Sequence, residues 1–238
     1  MSEPPPPSPP PPPPPAVPPP PSGGSYGASG GGSFSIGSSV GYGWNAYWKN
    51  VGPMLLIALV IIVVSAVISL IGNAMGNTFI ALVFNIIGSL VALLLAFGLI
   101  RASLAVTRGE KPEVAMLFDT TGFVPYLLAS ILFYIGFVIG LILCIIPGII
   151  FALVFMFYGY IISENGDNVT ATDALKRASE LTKGHRGELF GFVVVLILIN
   201  IVGAILCFVG LLFTWGITSI AVAHAYKMLS GQSVVEPA

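Results

Sequence analysis

The chain has 238 residues, of which 55% are hydrophobic and 8% charged, and its net charge is −1. A soluble surface that poor in charge would expose large apolar patches and aggregate, so lipid is the solvent that fits it. The net charge gives no bulk attraction to nucleic acid, and the two cysteines are too few for a disulfide scaffold and match no zinc spacing.

Residues 1–37 are low in complexity. Pro4 to Pro21 is a proline run broken only by Ser8, Ala16 and Val17. Proline fixes φ and removes the amide donor, which makes this a polyproline II segment of about 55 Å if straight. Gly- and Ser-rich residues follow as a flexible tether. The run is a docking site for a proline-recognising protein partner or, on the plainer reading, a disordered spacer. The opening residues lack a basic stretch followed by an apolar one, so no signal peptide is expected and the first span directs insertion.

The segment VGYGWNAYWKN, residues 40–50, places Val40, Trp44, Tyr47 and Trp48 on one helical face. Trp and Tyr favour the membrane–water boundary, so Trp44, Tyr47 and Trp48 are expected as interfacial anchors of a short surface helix ending at Gly52-Pro53. From residue 50 to 100 there is no charge. One crossing takes about 20 apolar residues, so this block suits two spans, near 54–71 and 79–100, joined by the polar turn Gly72–Asn77.

A break at Arg108–Pro112 leads into a short helix with Val114, Leu117 and Phe118 on one face. The charge-free block 120–163 then suits spans near 124–142 and 148–162, with Pro147-Gly148 as the break within the turn Cys144–Gly148. Next, Thr170 and Asp173 form the start of a capping box. Ala171, Ala174, Leu175, Ala178 and Leu181 share one face of the helix that follows, and its charged residues take the other. The third charge-free block suits spans near 189–206 and 211–226, with a turn close to Phe208-Val209-Gly210, and residues 233–238 form a short tail. The expected fold is therefore an all-α integral membrane protein. Residues 38–232 form six transmembrane helices arranged as three hairpins, each preceded by a short interfacial amphipathic helix.

In that topology all nine Lys and Arg fall on one side and the three opposite turns carry none. Positive charge is kept on the cytoplasmic side, which predicts both termini in the cytoplasm of a multi-pass protein. Lys176, Arg177, Lys183 and Arg186 form the basic face most suited to meet lipid headgroups or a partner.

The spans hold no deep ionisable group, which argues against ion-coupled transport. Asn85 and Asn200 either bond between helices, the favoured reading, or line a polar path. Gly136 and Gly140 make a GxxxG suited to packing within the bundle, a homodimer seam being the alternative. His185 and His224 have no nucleophile or carboxylate at catalytic spacing, and no phosphate-binding glycine loop occurs. Cys144 and Cys207, both near the outer turns, are read as free thiols by default, a disulfide clamp between hairpins being the alternative. No catalytic residue, metal site or cofactor is expected.

WNAYWKN before span one, IIPGII between spans three and four, ALKRASELTKG before span five and AYKMLSGQ after span six resemble a group of six-span bacterial membrane proteins. They are similar to the membrane domain that precedes the catalytic domain of some glycerophosphodiester phosphodiesterases. The resemblance covers about residues 38–232. It implies the six-span fold and a bacterial inner membrane, and it carries over no catalytic residue. The expected role is a non-enzymatic membrane scaffold working through the cytoplasmic face and the proline-rich tail; the alternative is a channel or carrier component without ion coupling.

Overall fold

The structure is a computed structural model that describes residues 34–74, 78–206 and 209–236. The proline-rich tail, part of the first turn (75–77), Cys207 with Phe208, and the last two residues lie outside the described residues, so the disulfide reading does too. Among the described residues every regular element is helical: α1 (Ile36–Lys49), α2 (Val51–Ala74), α3 (Thr78–Thr107), α4 (Phe123–Leu143), α5 (Ile145–Phe155), α6 (Tyr158–Asn165), α7 (Ala171–Leu181), α8 (Arg186–Ile205) and α9 (Val209–Leu229), with 3₁₀ turns at Val114–Phe118 and Gly166–Asn168.

Among the described residues five stretches are long and apolar enough to cross a membrane: Val51–Gly72, Ala81–Thr107, Phe123–Leu143, Ile145–Asn168 and Arg186–Ile205. They are rich in β-branched residues that elsewhere favour strands, but a helix satisfies every backbone group within one segment, which is what hydrocarbon demands. The sixth expected span, α9, is helical but not among these five.

Several local expectations shift. Helix α1 stops at Asn50, whose side-chain amide donates to the Ala46 carbonyl at 3.0 Å. Helix α2 restarts at Val51, so Gly52-Pro53 sits inside its first turn, where proline's missing N–H costs nothing. Likewise the break before α5 is Cys144 alone, extended at φ −175° and ψ 152°. Pro147 and Gly148 lie inside the first turn of α5 rather than ending a helix. The second expected surface helix is only the 3₁₀ turn 114–118, where Leu117 is buried and Phe118 is 53% exposed. The cause is close approach: a Cβ at Gly98 would lie 2.3 Å from the Leu117 Cα, so α3 holds this turn by its backbone.

The fourth expected span is interrupted. Helix α5 ends at Phe155 and α6 begins at Tyr158, which strips the Val154 carbonyl of its helical donor. The Thr182 hydroxyl, just past the end of α7, donates to that carbonyl at 3.0 Å. Helix α7 starts as expected, with the Thr170 Oγ1 accepting from the Asp173 amide at 3.2 Å, and it buries Ala171, Ala174 and Ala178.

Glycines set the close approaches between neighbours. A Cβ at Gly88 would meet Ile68 at 2.7 Å, one at Gly136 would meet the Phe151 ring at 2.3 Å, and one at Gly210 would meet the Gly203 carbonyl oxygen at 2.4 Å. These contacts join α2 to α3, α4 to α5, and α8 to α9. The Gly136/Gly140 pair thus packs within the chain, Gly140 lying against Gly148. Asn200 of α8 accepts from the Thr214 hydroxyl of α9 at 3.2 Å, an interhelical bond.

Two apolar clusters fill the interior. One holds Phe97, Tyr126, Phe157, Phe192 and the α7 alanines; the other holds Tyr47, Met54, Ile57, Leu95, Leu117 and Ile217. The outward faces of α2, α4, α5 and α8 carry exposed Leu, Ile, Val and Phe instead of charge.

Candidate functional site

Polar side chains converge where the ends of α3, α6 and α9 meet. Their centre is Glu164, in the last turn of α6. Its Oε1 accepts from Lys227 Nζ at 2.6 Å and Arg108 Nη2 at 3.3 Å. Its Oε2 accepts from the Tyr226 hydroxyl at 2.7 Å and the Gln232 amide at 2.8 Å. The Lys227 side chain is 6% exposed and that of Glu164 13%, whereas Arg108 is 43% exposed. A carboxylate so enclosed needs charge partners and donors, and four groups supply them. Lys227 donates to Gln232 as well, so residues 227–232 fold back over the pair. Beyond them, the Val235 amide donates to the Thr107 carbonyl at 3.0 Å and the Tyr42 hydroxyl donates to the Val235 carbonyl at 2.8 Å. Burial pushes the Tyr42 hydroxyl pKa up to about 12, so it stays a donor at physiological pH.

A second node ties the α3–α4 loop down. The Arg101 guanidinium pairs with Asp119 Oδ2 at 2.5 Å, donates to the carbonyls of Asp119 and Thr121, and lies 4.5 Å from the centre of the Phe97 ring. The Thr121 amide donates to Asp119 Oδ1 at 2.9 Å; that bond first, then the Thr121 hydroxyl and Arg101, hold the Asp119 carboxyl below its usual range. Asp167 then accepts from the Gly122 amide at 3.0 Å, filling one of the free donors at the start of α4. Gly122 takes φ +72°, and a Cβ there would lie 3.0 Å from Gly166, so glycine suits it on both counts.

An open cavity of about 610 Å³ lies between the two nodes, with Arg101, Arg108, Glu110, Asp119, Glu164 and Asp167 on its wall. Most of its charged groups already hold each other. The arrangement locks helix ends together; no cluster of metal ligands occurs among the described residues.

The residues singled out by sequence fall into separate places. Lys176, Arg177, Lys183 and Arg186 are all exposed along α7 and at the start of α8, and among the described residues none of them makes an ion pair. Trp44 and Trp48 point outward at 53% and 47% exposure, but Tyr47 turns inward and is fully buried. The face α1 buries is Ser39, Gly43, Ala46 and Tyr47, not the aromatic stripe. Shape decides this: a Cβ at Gly43 would sit 2.6 Å from the Ile217 carbonyl oxygen, and one at Gly216 2.2 Å from the Tyr47 ring, so α1 lies tightly along α9. Cys144 is exposed and forms no disulfide among the described residues. His224 is buried against Ser39, its Nδ1 3.1 Å from the hydroxyl, and stacks on Tyr42. His185 begins α8, and its Nδ1 has no hydrogen-bond partner.

Sequence reading missed Glu164, Asp119, Asp167, Tyr226 and Gln232. One signal was present: Glu164 is the first charge after one apolar block, and Lys227 the first after another, which is where helix ends meet water.

Among known proteins, the chain is similar to the uncharacterised protein Rv2560 of Mycobacterium tuberculosis, strain H37Rv, at 29% identity over 141 residues. It is equally similar to the uncharacterised protein Mb2590 of Mycobacterium bovis. The match takes in 58% of this chain and 42% of each relative, so the chain spans less than half the length of the proteins it matches. No family model matches the chain. No solved structure matches it.

Proposed function

We propose that this chain is a non-enzymatic scaffold of the bacterial cytoplasmic membrane, crossing it six times as three helix pairs with both termini in the cytoplasm. The observation that carries the reading is the division of the molecule: aromatic and aliphatic side chains fill the interior, while Arg101, Arg108, Glu164 and Lys227 gather at one end. An interior packed in this way favours a framework over a conduit, which would keep polar walls. The bundle's charged end becomes the cytoplasmic face under the positive-inside rule. Lys176, Arg177, Lys183 and Arg186 then form a basic edge that meets anionic headgroups or an acidic partner first, at about 1 kcal/mol per basic group. The proline-rich residues 1–37 supply a second contact for a protein partner. The resemblance to the membrane domain of glycerophosphodiester phosphodiesterases belongs to the same reading and adds no activity.

Reporter fusions after Asn77, Ile146 and Phe208 test the topology, and all three should read as external. A single cytoplasmic signal would end the six-span reading. Partner capture from native membranes, with and without residues 1–37, tests the tail. Identical partner sets would remove it as a docking site.

A further inference from the structure

Ser65, Ser69, Asn85 and Ser89 form a polar strip on an otherwise apolar wall. They line an open groove of about 270 Å³ between α2 and α3, together with Gly72 and Gly88. All four polar residues are exposed, and the flanking Ile62, Val63, Leu82, Ile86 and Leu90 are exposed and apolar. Asn85 is 16 residues before Arg101 in the same helix, about 24 Å along its axis, so with Arg101 at one boundary of a hydrocarbon layer about 30 Å thick it lies about 6 Å inside the other. The Asn85 amide donates to the Ala81 carbonyl at 2.8 Å and the Ser89 hydroxyl to the Asn85 carbonyl at 2.8 Å. That leaves the Asn85 side-chain oxygen Oδ1 and the second side-chain N–H without a partner among the described residues. Lipid tails offer none, and a carboxamide facing them is costly.

We infer that this strip is the seam at which two copies of the chain associate. A carboxamide is both donor and acceptor, so it complements itself across a two-fold axis, where the same patch faces its own copy. Ser65, Ser69 and Gly72 at i, i+4 and i+7 of α2 add small side chains that let backbones come close, and their hydroxyls extend the polar match. This seam differs from the Gly136/Gly140 pair, which is already filled by Phe151 and Gly148. The inference rests on the membrane reading above.

The test is thiol crosslinking in native membranes on a chain carrying Cys144→Ser and Cys207→Ser. Ser65→Cys, Ser69→Cys and Ser89→Cys should each give a crosslinked dimer, and Val67→Cys and Ile87→Cys, exposed on other faces, should not. Asn85→Leu should weaken the dimer about tenfold and Asn85→Gln should restore it. Equal yields at all five positions, or none, would overturn the seam. So would labelling of the seam thiols by a membrane-impermeant maleimide, which would make the groove a water path instead. Carbonate washing separates the two readings: a chain that stays in the membrane but does not crosslink refutes only the seam, and a chain washed free refutes both.

Discussion

Removing the Lys227 ammonium should cost far more than removing the Arg108 guanidinium, although both pair with the same carboxylate. In Lys227→Met the aliphatic stem is kept and the charge is lost. Glu164, 13% exposed, then loses its 2.6 Å partner and keeps Arg108 at 3.3 Å, along with Tyr226 and Gln232. Stripping one member of an enclosed pair typically costs about 3–5 kcal/mol, because the other charge stays desolvated. The surviving donors argue for the lower end, about 3 kcal/mol. For a chain of this size that is a fall in Tm of about 6–12 °C. Arg108→Met breaks a longer pair whose cation is 43% exposed, worth about 0.5 kcal/mol or a fall of about 1–2 °C. The assay is thermal unfolding in mild detergent, followed by the monodisperse fraction on size exclusion. Glu164→Gln combined with Lys227→Met should recover most of the loss, since a neutral amide needs no counter-charge. A Lys227→Met shift no larger than that of Arg108→Met, or strictly additive losses in the double variant, would refute the view of Glu164 as the hub.

Two further outcomes follow from geometry and charge. Gly43→Ala should destabilise by about 1–3 kcal/mol, since its Cβ meets the Ile217 carbonyl oxygen at 2.6 Å, while Gly187→Ala, with nothing within 4 Å, should be neutral or slightly stabilising; paired thermal melts decide. The folded pKa of Asp119 lies below its ordinary 3.8, so its stabilising effect is present above that value and is lost as pH falls through the lower folded pKa. Asp119→Asn should therefore melt lower than the parent near neutral pH, with the difference closing in acid; a gap that widens on acidification would contradict the Arg101–Asp119 assignment.

Much of the helical framework is legible in the sequence because hydrocarbon imposes a simple code. Runs without charge, of known length, become helices, and α2, α4 and α8 fall within a few residues of their expected bounds. Boundaries were harder. Pro147-Gly148 reads as a break by local propensity, yet a proline in the first turn is compatible with helix, and the single residue Cys144 does the turning. Of Trp44, Tyr47 and Trp48 only Tyr47 turns inward: aromatic periodicity is visible in sequence, whereas the partner surface on α9 that receives α1 is not. Glu164 could not be recognised as a hub either: its donors Arg108, Tyr226, Lys227 and Gln232 come from distant parts of the chain, and spacing says nothing about such meetings. In the Thr170–Asp173 cap, by contrast, all the information lies within four residues, and it was read correctly.

The bond from Thr182 to the Val154 carbonyl gives α7 a mechanical role. Without it a bare carbonyl would sit at the break in the fourth apolar stretch, at about 1–3 kcal/mol. Peeling α7 off the bundle therefore means exposing that oxygen, and a pull on its basic outer face is carried through one hydroxyl to the joint between α5 and α6. Thr182 is thus the point at which α7 is tied to the joint between α5 and α6, next to Met156 and Phe157.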